Sequence, residues 1–215
     1  MHSIIKYNKK ECQNLKKSKF SLALVLMLVL SVIVSACGND NSSDKKSGSS
    51  DVAQELRVLE SAEIPSMDSV MAEDTVSFTA LNNVNEGLYS QDQDNNFVPA
   101  VAEGEPEMNE DGTEFTVKLK EGLTWSNGTA LTAHDFVYAW QRAIDPANAS
   151  TYGPYMMNGK IAGATEITEA AAAKKDYDVT TLGVEATDDT TLVVTTVTPM
   201  TVDFFKSLMA FGTFY

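Results

Sequence analysis

Three stretches of the chain alternate apolar and polar residues with the period of two that predicts a half-buried strand. Their apolar positions are Leu56 and Val58 in the first, Phe115, Val117 and Leu119 in the second, and Leu192 and Val194 in the third. Pro65 ends the first predicted strand, and the Asp111-Gly112 turn precedes the second. An Asp188-Asp189 turn divides the third stretch, residues 182–197, and therefore predicts a hairpin of two strands.

Apolar residues at helical spacing predict helices between these strands. The first helix starts near Thr75 and stops near Gly87, and its apolar stripe repeats every four residues at Val76, Ala80, Val84 and Leu88. The second follows the Asn127-Gly128 turn and begins with a capping box of Thr132 and Asp135. Its apolar face consists of Phe136, Trp140 and Ala143, and it ends at Asp145-Pro146. Residues 166–175 and 201–209 predict two short helices.

Strands and helices that alternate with short turns indicate an α/β domain, or an α+β domain with a mixed sheet. Neither an internal repeat nor a coiled-coil heptad is present in the sequence. We expect the aromatic residues Trp125, Phe136 and Trp140 to belong to the core of this domain and not to a ligand site.

The N-terminal part of the chain has a different pattern, in which a basic stretch precedes an uncharged apolar run at residues 20–34. A basic region, a short apolar region and small residues before a break are typical of a secretory signal. This run of fifteen residues is short of the roughly 20 that a membrane-spanning helix needs. Val34-Ser35-Ala36-Cys37 resembles the lipobox of bacterial lipoproteins. We therefore predict cleavage before Cys37 and attachment of lipid to its sulfur.

Residues 38–50 contain only Gly, Asn, Asp, Ser and Lys, a composition typical of a flexible tether. The predicted organisation is a lipoprotein signal peptide at 1–36, a lipidated cysteine and tether at 37–53, and a folded domain at 54–215. Cys12 lies in the removed part, so the mature chain would have no disulfide. Cleavage removes six lysines and one glutamate and leaves 10 basic and 29 acidic side chains. This acidity argues against a nucleic-acid partner, although it equally fits a role in solubility.

Sequence motifs for phosphate loops, dinucleotide binding, zinc hydrolysis and serine hydrolysis are absent. The mature chain has a single histidine, His134, which we interpret as a surface residue. Asp188-Asp189 is a carboxylate pair, but adjacent residues of a hairpin turn point apart. We therefore expect no enzyme activity, no metal and no cofactor.

Residues 98–146 closely resemble the signature block of the extracytoplasmic oligopeptide-binding proteins of ABC importers, which are bacterial solute-binding proteins of family 5. The matching motifs are "VPAVAE", "DGTEFTVKLK" and "WSNGTALTAHDFV", with Val117 and Lys120 as mild departures. "SMDS" at 66–69, "NEGLY" at 85–89, "STYGPYM" at 150–156 and "LGVEATDDTTLVV" at 182–194 follow in the family's order. The resemblance extends from about Leu56 to Tyr215.

The resemblance implies a fold of two α/β lobes that trap an extended peptide and deliver it to a membrane permease. It implies that the stretch after "SMDS" faces the cleft, which makes Glu73 and Thr75 candidate ligand contacts. Tyr152 matches a family tyrosine that lines the cleft. A carboxylate at Glu73 can pair with a ligand amine, but an acid at a helix start is an equal interpretation. Tyr152 could equally be a packed ring with a hydrated hydroxyl.

Full members of the family are more than twice as long, so we expect this chain to correspond to their N-terminal portion, without the second lobe. The resulting hypothesis is a monomeric, lipid-anchored peptide-binding component on the extracytoplasmic face of the cell membrane, with ABC permease subunits as partners. Alternatives are the same scaffold with nickel, haem or a peptide pheromone as ligand, or a non-functional fragment of such a gene.

Overall fold

The computed structural model describes residues 55–214, of which the part from Arg57 onward is one compact unit. The predicted signal peptide, Cys37 and the whole of the predicted tether lie outside the described residues. Within residues 55–214, no helix combines the length and the apolar character needed to cross a membrane.

Four antiparallel strands form the main sheet in the order β3-β4-β6-β5. Their bounds are Glu107–Met108 for β3, Glu114–Lys118 for β4, Val184–Asp188 for β5 and Thr191–Thr195 for β6. In the register of β4 on β6, Phe115 lies opposite Val194 and Val117 opposite Leu192. All four side chains are fully buried, which confirms the two predicted strands and the hairpin.

Helix α2 (Ala133–Ile144) packs against this sheet with the face that its sequence pattern predicts. The Asp135 carboxylate accepts hydrogen bonds from the backbone N–H of Thr132 at 2.7 Å and from its hydroxyl at 3.1 Å. This arrangement is the predicted capping box. Phe136, Trp140 and Ala143 are buried. The Trp140 indole N–H donates to the carbonyl of Phe214 at 3.2 Å, which satisfies its one polar group in the core.

Three further helices follow α2. They are α3 (Tyr152–Met157), α4 (Ala164–Ala172) and α5 (Val202–Met209). The last two confirm the predicted short helices, although α4 ends before the lysines at its predicted C-terminus. Phe205 of α5 stacks on Phe115 of the sheet with ring centroids 4.2 Å apart and 5° between the ring planes. This contact joins α5 to the core of the sheet.

Helix α1 (Thr75–Val84) is followed by a two-stranded hairpin of β1 (Tyr89–Gln91) and β2 (Phe97–Pro99). The existence of this helix is confirmed, but the predicted apolar stripe is wrong. Its buried residues are Val76, Ser77 and Leu81, whereas Val84 is 67% exposed. Because a helix turns every 3.6 residues, a spacing of four drifts by about 40° at each step. The fourth member of the stripe, Leu88, lies beyond the helix and is buried there.

Two other expectations are also wrong. Residues 55–60 form no strand, and Leu56, Val58 and Leu59 are largely exposed. Alternation alone does not make a strand, since a strand needs a neighbour to pair with its backbone groups. Trp125 is 42% exposed and outside the core. It lies at a tight turn, where its carbonyl accepts a hydrogen bond from the N–H of Gly128 at 2.9 Å. The backbone of Trp125 therefore stabilises the turn, while its ring stays outside the core.

Candidate functional site

The chain before α1 folds into a compact turn at residues 66–73, which we call the 66–73 turn. The carbonyl of Asp68 accepts hydrogen bonds from the N–H groups of Met71 at 3.1 Å and Ala72 at 2.9 Å. Its carboxylate accepts from the N–H of Val70 at 3.0 Å. Val70 and Ala72 are buried, so polar contacts at Asp68 and apolar contacts at two alternate positions hold the turn in one conformation.

The N-terminus of α1 continues from this turn and is capped by Asp74. The Asp74 carboxylate accepts from the N–H of Ser77 at 2.9 Å and from its hydroxyl at 2.7 Å. These hydrogen bonds favour the charged carboxylate and lower the pKa of Asp74. The Ser77 hydroxyl also accepts from the N–H of Ser66 at 3.1 Å. The cap therefore ties the start of α1 to the start of the 66–73 turn.

A second segment, residues 142–155, lies against the 66–73 turn. Arg142, in the last turn of α2, donates two hydrogen bonds to the Asp68 carboxylate at 2.7 and 2.6 Å. The hydrogen bonds from Arg142 lower the pKa of Asp68, and the Asp68 carboxylate in turn raises the pKa of Arg142. A bidentate arginine–carboxylate pair fixes both distance and orientation. The pair therefore fixes the turn to the end of α2.

Two hydroxyls extend this connection toward α3. The Ser150 hydroxyl donates to the carbonyl of Val70 at 2.7 Å in a buried position and accepts from the N–H of Gly153 at 3.1 Å. The Thr151 hydroxyl donates to one carboxylate oxygen of Glu73. The 66–73 turn and residues 142–155 thus form one surface, which we call the wall.

Aromatic rings continue the wall beyond Glu73. The ring of Tyr152 is edge-on to Phe78 with centroids 5.4 Å apart, and it lies 5.3 Å from Phe211. Phe78 and Phe211 are themselves 5.4 Å apart, so the three rings form a cluster. Tyr155 adds an edge contact to Tyr152 at 6.1 Å and is 71% exposed. Such rings offer apolar surface with a polar hydroxyl at the edge.

Two of the three predicted ligand contacts lie on this wall, and the third, Thr75, lies on the adjoining helix. Glu73 is exposed and bonded to Thr151, the residue that precedes Tyr152. Tyr152 is half-buried, which combines both interpretations of this residue: its ring packs in a cluster and part of it stays accessible. Thr75 is exposed at the start of α1, three residues before Phe78. The structure therefore brings Glu73 and Tyr152 to neighbouring positions, with Thr75 on the adjoining helix.

Sequence reasoning missed the residues that hold these side chains in place. They are Asp68, Phe78, Arg142, Ser150, Thr151 and Phe211. Asp68 and the pair Ser150 and Thr151 lie inside the "SMDS" and "STYGPYM" motifs. Those motifs were a signal for the site, but their residues bond to Arg142, Val70 and Glu73, which lie outside both motifs and more than 70 positions away in sequence.

A groove of about 760 Å³ lies next to the aromatic cluster. Phe211 belongs to both. The rest of its lining is mostly polar and includes Asn82, Asn85 and Gln91, but none of the three predicted ligand contacts. The wall, where charged and aromatic groups converge, is therefore a better candidate for a ligand site than the groove.

In the part of the chain that the structure describes, no three His, Cys, Asp or Glu side chains are grouped so that they could hold a metal ion together. His134 is exposed, with Nε2 3.7 Å from the Asp189 carboxylate. Its position confirms the interpretation as a surface residue.

Comparison with known proteins identifies clear relatives. The family model for the middle region of bacterial extracellular solute-binding proteins, family 5, matches residues 96–215. A dipeptide-binding protein of Lactococcus lactis is 33% identical over 94% of this chain and 33% of the relative. The periplasmic oligopeptide-binding protein OppA of Escherichia coli is 40% identical over 69% of this chain and 26% of the relative.

Solved structures give the same result. Listeria monocytogenes OppA bound to peptide matches with a TM-score of 0.64 and 42% identity, over 72% of this chain and 29% of that one. The substrate-binding domain of an oligopeptide ABC transporter from Bacillus anthracis matches with a TM-score of 0.66 and 39% identity, over 73% and 28%. The chain thus spans about a third or less of the length of these relatives. Its described part has the fold of the corresponding region of OppA.

Proposed function

The chain belongs to the bacterial extracellular solute-binding proteins of family 5, and we propose that it forms part of the peptide-binding component of an ABC importer. The observation that carries this proposal is the wall, in which the Glu73 carboxylate and the half-buried Tyr152 ring lie at neighbouring positions. A carboxylate suits the amine or a basic side chain of a peptide. Several relatives are named for peptide binding.

Each predicted contact has a role in this proposal. Glu73 pairs with a positive group of the ligand, and Tyr152 offers apolar surface to a side chain. Thr75 supplies a hydroxyl at the start of α1 that bonds the peptide main chain. Recognition of main-chain groups gives affinity without strong preference for sequence, so the ligands are short peptides of varied sequence. No catalytic step is involved.

A titration experiment tests the proposal. Short peptides of mixed sequence are titrated into the 215-residue chain and into a chimera in which residues 55–214 replace the matching part of Listeria monocytogenes OppA. We expect weak heat or none from the chain, since one wall buries little of a ligand, and clear binding by the chimera. Glu73→Gln in the chimera lowers affinity about tenfold, because it removes a charge-assisted bond. Tyr138→Phe, at a 67% exposed ring on α2, is the matched control.

A folded chimera that binds no peptide would contradict the proposed function. Titrating nickel or haem into the same chimera separates the alternative ligands. Binding of either one without binding of peptide would favour that alternative. A peptide pheromone is a narrower form of the same proposal, and the pheromone receptor PrgZ is a structural relative at 36% identity. The pheromone alternative predicts that the chimera binds one peptide much more strongly than the mixture.

The lipid anchor is a separate part of the proposal. We expect cleavage before Cys37 and two or three acyl chains on the new N-terminus, which hold a protein firmly at about 0.8 kcal/mol per buried CH₂. The domain would then face outward from the cell membrane and meet permease subunits there. Growth with radiolabelled palmitate tests this arrangement. Cys37→Ala abolishes the label and Cys12→Ala keeps it, whereas label that survives Cys37→Ala would refute the anchor.

A further inference from the structure

We infer that Asp68 and Arg142 are positioning residues for Glu73, and that their ion pair holds the wall in its ligand-ready form before any ligand arrives. The inference rests on the proposed function for what the wall binds. It concerns two side chains that lie outside the set of predicted ligand contacts. Their contribution to binding acts through the conformation of the 66–73 turn.

The ion pair joins two distant parts of the chain. Arg142 donates both hydrogen bonds to Asp68 across 74 positions of sequence, at 2.7 and 2.6 Å. The arginine comes from the last turn of α2, whose opposite face is buried in the core. The packing of α2 therefore fixes the position of Arg142, and Arg142 in turn fixes Asp68. A lysine would keep the charge but not the two-point geometry.

The backbone of the 66–73 turn links Asp68 to Glu73. The carbonyl of Asp68 accepts from the N–H groups of Met71 and Ala72, so the residue held by Arg142 also organises the backbone leading to Glu73. Ser150 holds the middle of the turn through the carbonyl of Val70 at 2.7 Å. The 66–73 turn is therefore bonded to residues 142–155 at Asp68, Val70 and Glu73, and these three contacts set the direction of the Glu73 side chain.

The Glu73 carboxylate is itself bonded to the neighbouring segment. The Thr151 hydroxyl donates a hydrogen bond to one of its two oxygens. Because the Glu73 side chain is exposed, the other oxygen can meet a ligand. A carboxylate held by one oxygen presents the second in a defined direction. If the turn moved away from residues 142–155, the Thr151 bond would break and Glu73 would sample many rotamers. Ordering it again on binding would cost affinity.

Hydrogen exchange on the 215-residue chain tests the ion pair without any ligand. Arg142→Met should speed exchange of the Met71 and Ala72 amides about tenfold. The Leu119 and Thr195 amides, which are bonded within and beside the sheet, should keep their wild-type rates. Arg142→Lys should restore part of the protection, because the charge remains.

The matched control is Lys118→Met, which removes an exposed ion pair of the sheet, Lys118 to Glu107 at 3.3 Å. It should leave the rates of the 66–73 turn unchanged. Two outcomes overturn the inference. If Arg142→Met speeds the sheet amides as much as those of the turn, the pair only adds global stability. If it changes neither set, the pair does not hold the turn.

Peptide titration of the chimera then tests the link to Glu73. Arg142→Met should weaken peptide binding several-fold in the wild-type background and have no effect in the Glu73→Gln background. An equal loss in both backgrounds would show that Arg142 does not act through Glu73. If the chimera binds no peptide at all, the proposed function fails, but the exchange rates still decide whether the ion pair orders the turn.

Discussion

Replacing Gly153 with alanine should disrupt the junction between α2 and α3, on which the wall depends. A Cβ built on Gly153 would lie 1.8 Å from the carbonyl oxygen of Ala143 and 2.6 Å from its carbonyl carbon. Since a backbone group cannot rotate away like a side chain, α3 has to move by more than about 1 Å to reach an ordinary contact. The change adds only one methyl group, so the effect comes from position and not from bulk.

The expected cost lies at the upper end of the range for overpacking, about 3 kcal/mol. For a domain of this size, a loss of 3 kcal/mol lowers the melting temperature by roughly 6–12 °C. Urea denaturation followed by circular dichroism measures the free energy of unfolding, and a thermal scan measures the melting temperature. Gly104→Ala is the matched control, because a Cβ there meets nothing within 4 Å. It should change stability by less than about 0.5 kcal/mol.

A Gly153→Ala variant with wild-type stability would refute the packing of α3 on the end of α2. It would also remove the support for Ser150 as a fixed donor to the 66–73 turn, because its hydroxyl oxygen lies 3.3 Å from the position of the same added Cβ. Loss of stability in both glycine variants would instead show a general intolerance to alanine at glycine positions and would not support the specific contact.

Three further perturbations test other parts of the structure. Phe205→Ala removes a fully buried ring stacked on the sheet and should lower the free energy of unfolding by about 3–5 kcal/mol in urea. Asp74→Ala removes the cap that accepts hydrogen bonds from Ser77 and should lower the free energy of unfolding in the same assay, with Asp74→Asn close to wild type. The third is a pH series on Asp68→Asn. The hydrogen bonds from Arg142 lower the pKa of Asp68 below its ordinary value of 3.8, so its contribution to stability is present above that value. The free energy of unfolding of the wild type should therefore exceed that of Asp68→Asn by a constant amount near neutral pH. This difference should shrink as the pH falls below about 4 and through the lowered pKa of Asp68. A difference that grows in acid would contradict the ion pair.

The local sequence pattern was sufficient to predict those helices and strands whose two faces differ clearly in polarity. The alternation of Phe115, Val117 and Leu119 predicted a strand, and the capping box at Thr132 predicted the start of α2, because both depend on neighbours in sequence. The family resemblance likewise came from motifs that are continuous in the chain. It gave a fold class that the comparisons with OppA structures confirm.

The predictions that failed depended on partners distant in sequence. Residues 55–60 have the alternation of a strand, but no strand forms there in the described fold. The buried face of α1 was misjudged because its direction is decided by what packs against it. Trp125 is a large apolar residue in a turn, and hydrophobicity alone did not show that its ring stays outside.

The site shows the same division. Glu73, Thr75 and Tyr152 were selected from motifs in the chain, and their role in binding stays a prediction. Only the tertiary structure shows that Glu73 is bonded to Thr151 and that the turn before it is held by Arg142. A hydrogen bond depends on distances of a few ångströms between atoms, and the folded backbone sets those distances for residues more than 70 positions apart. Sequence therefore determined which residue types are available at this wall, and packing decided which of them meet.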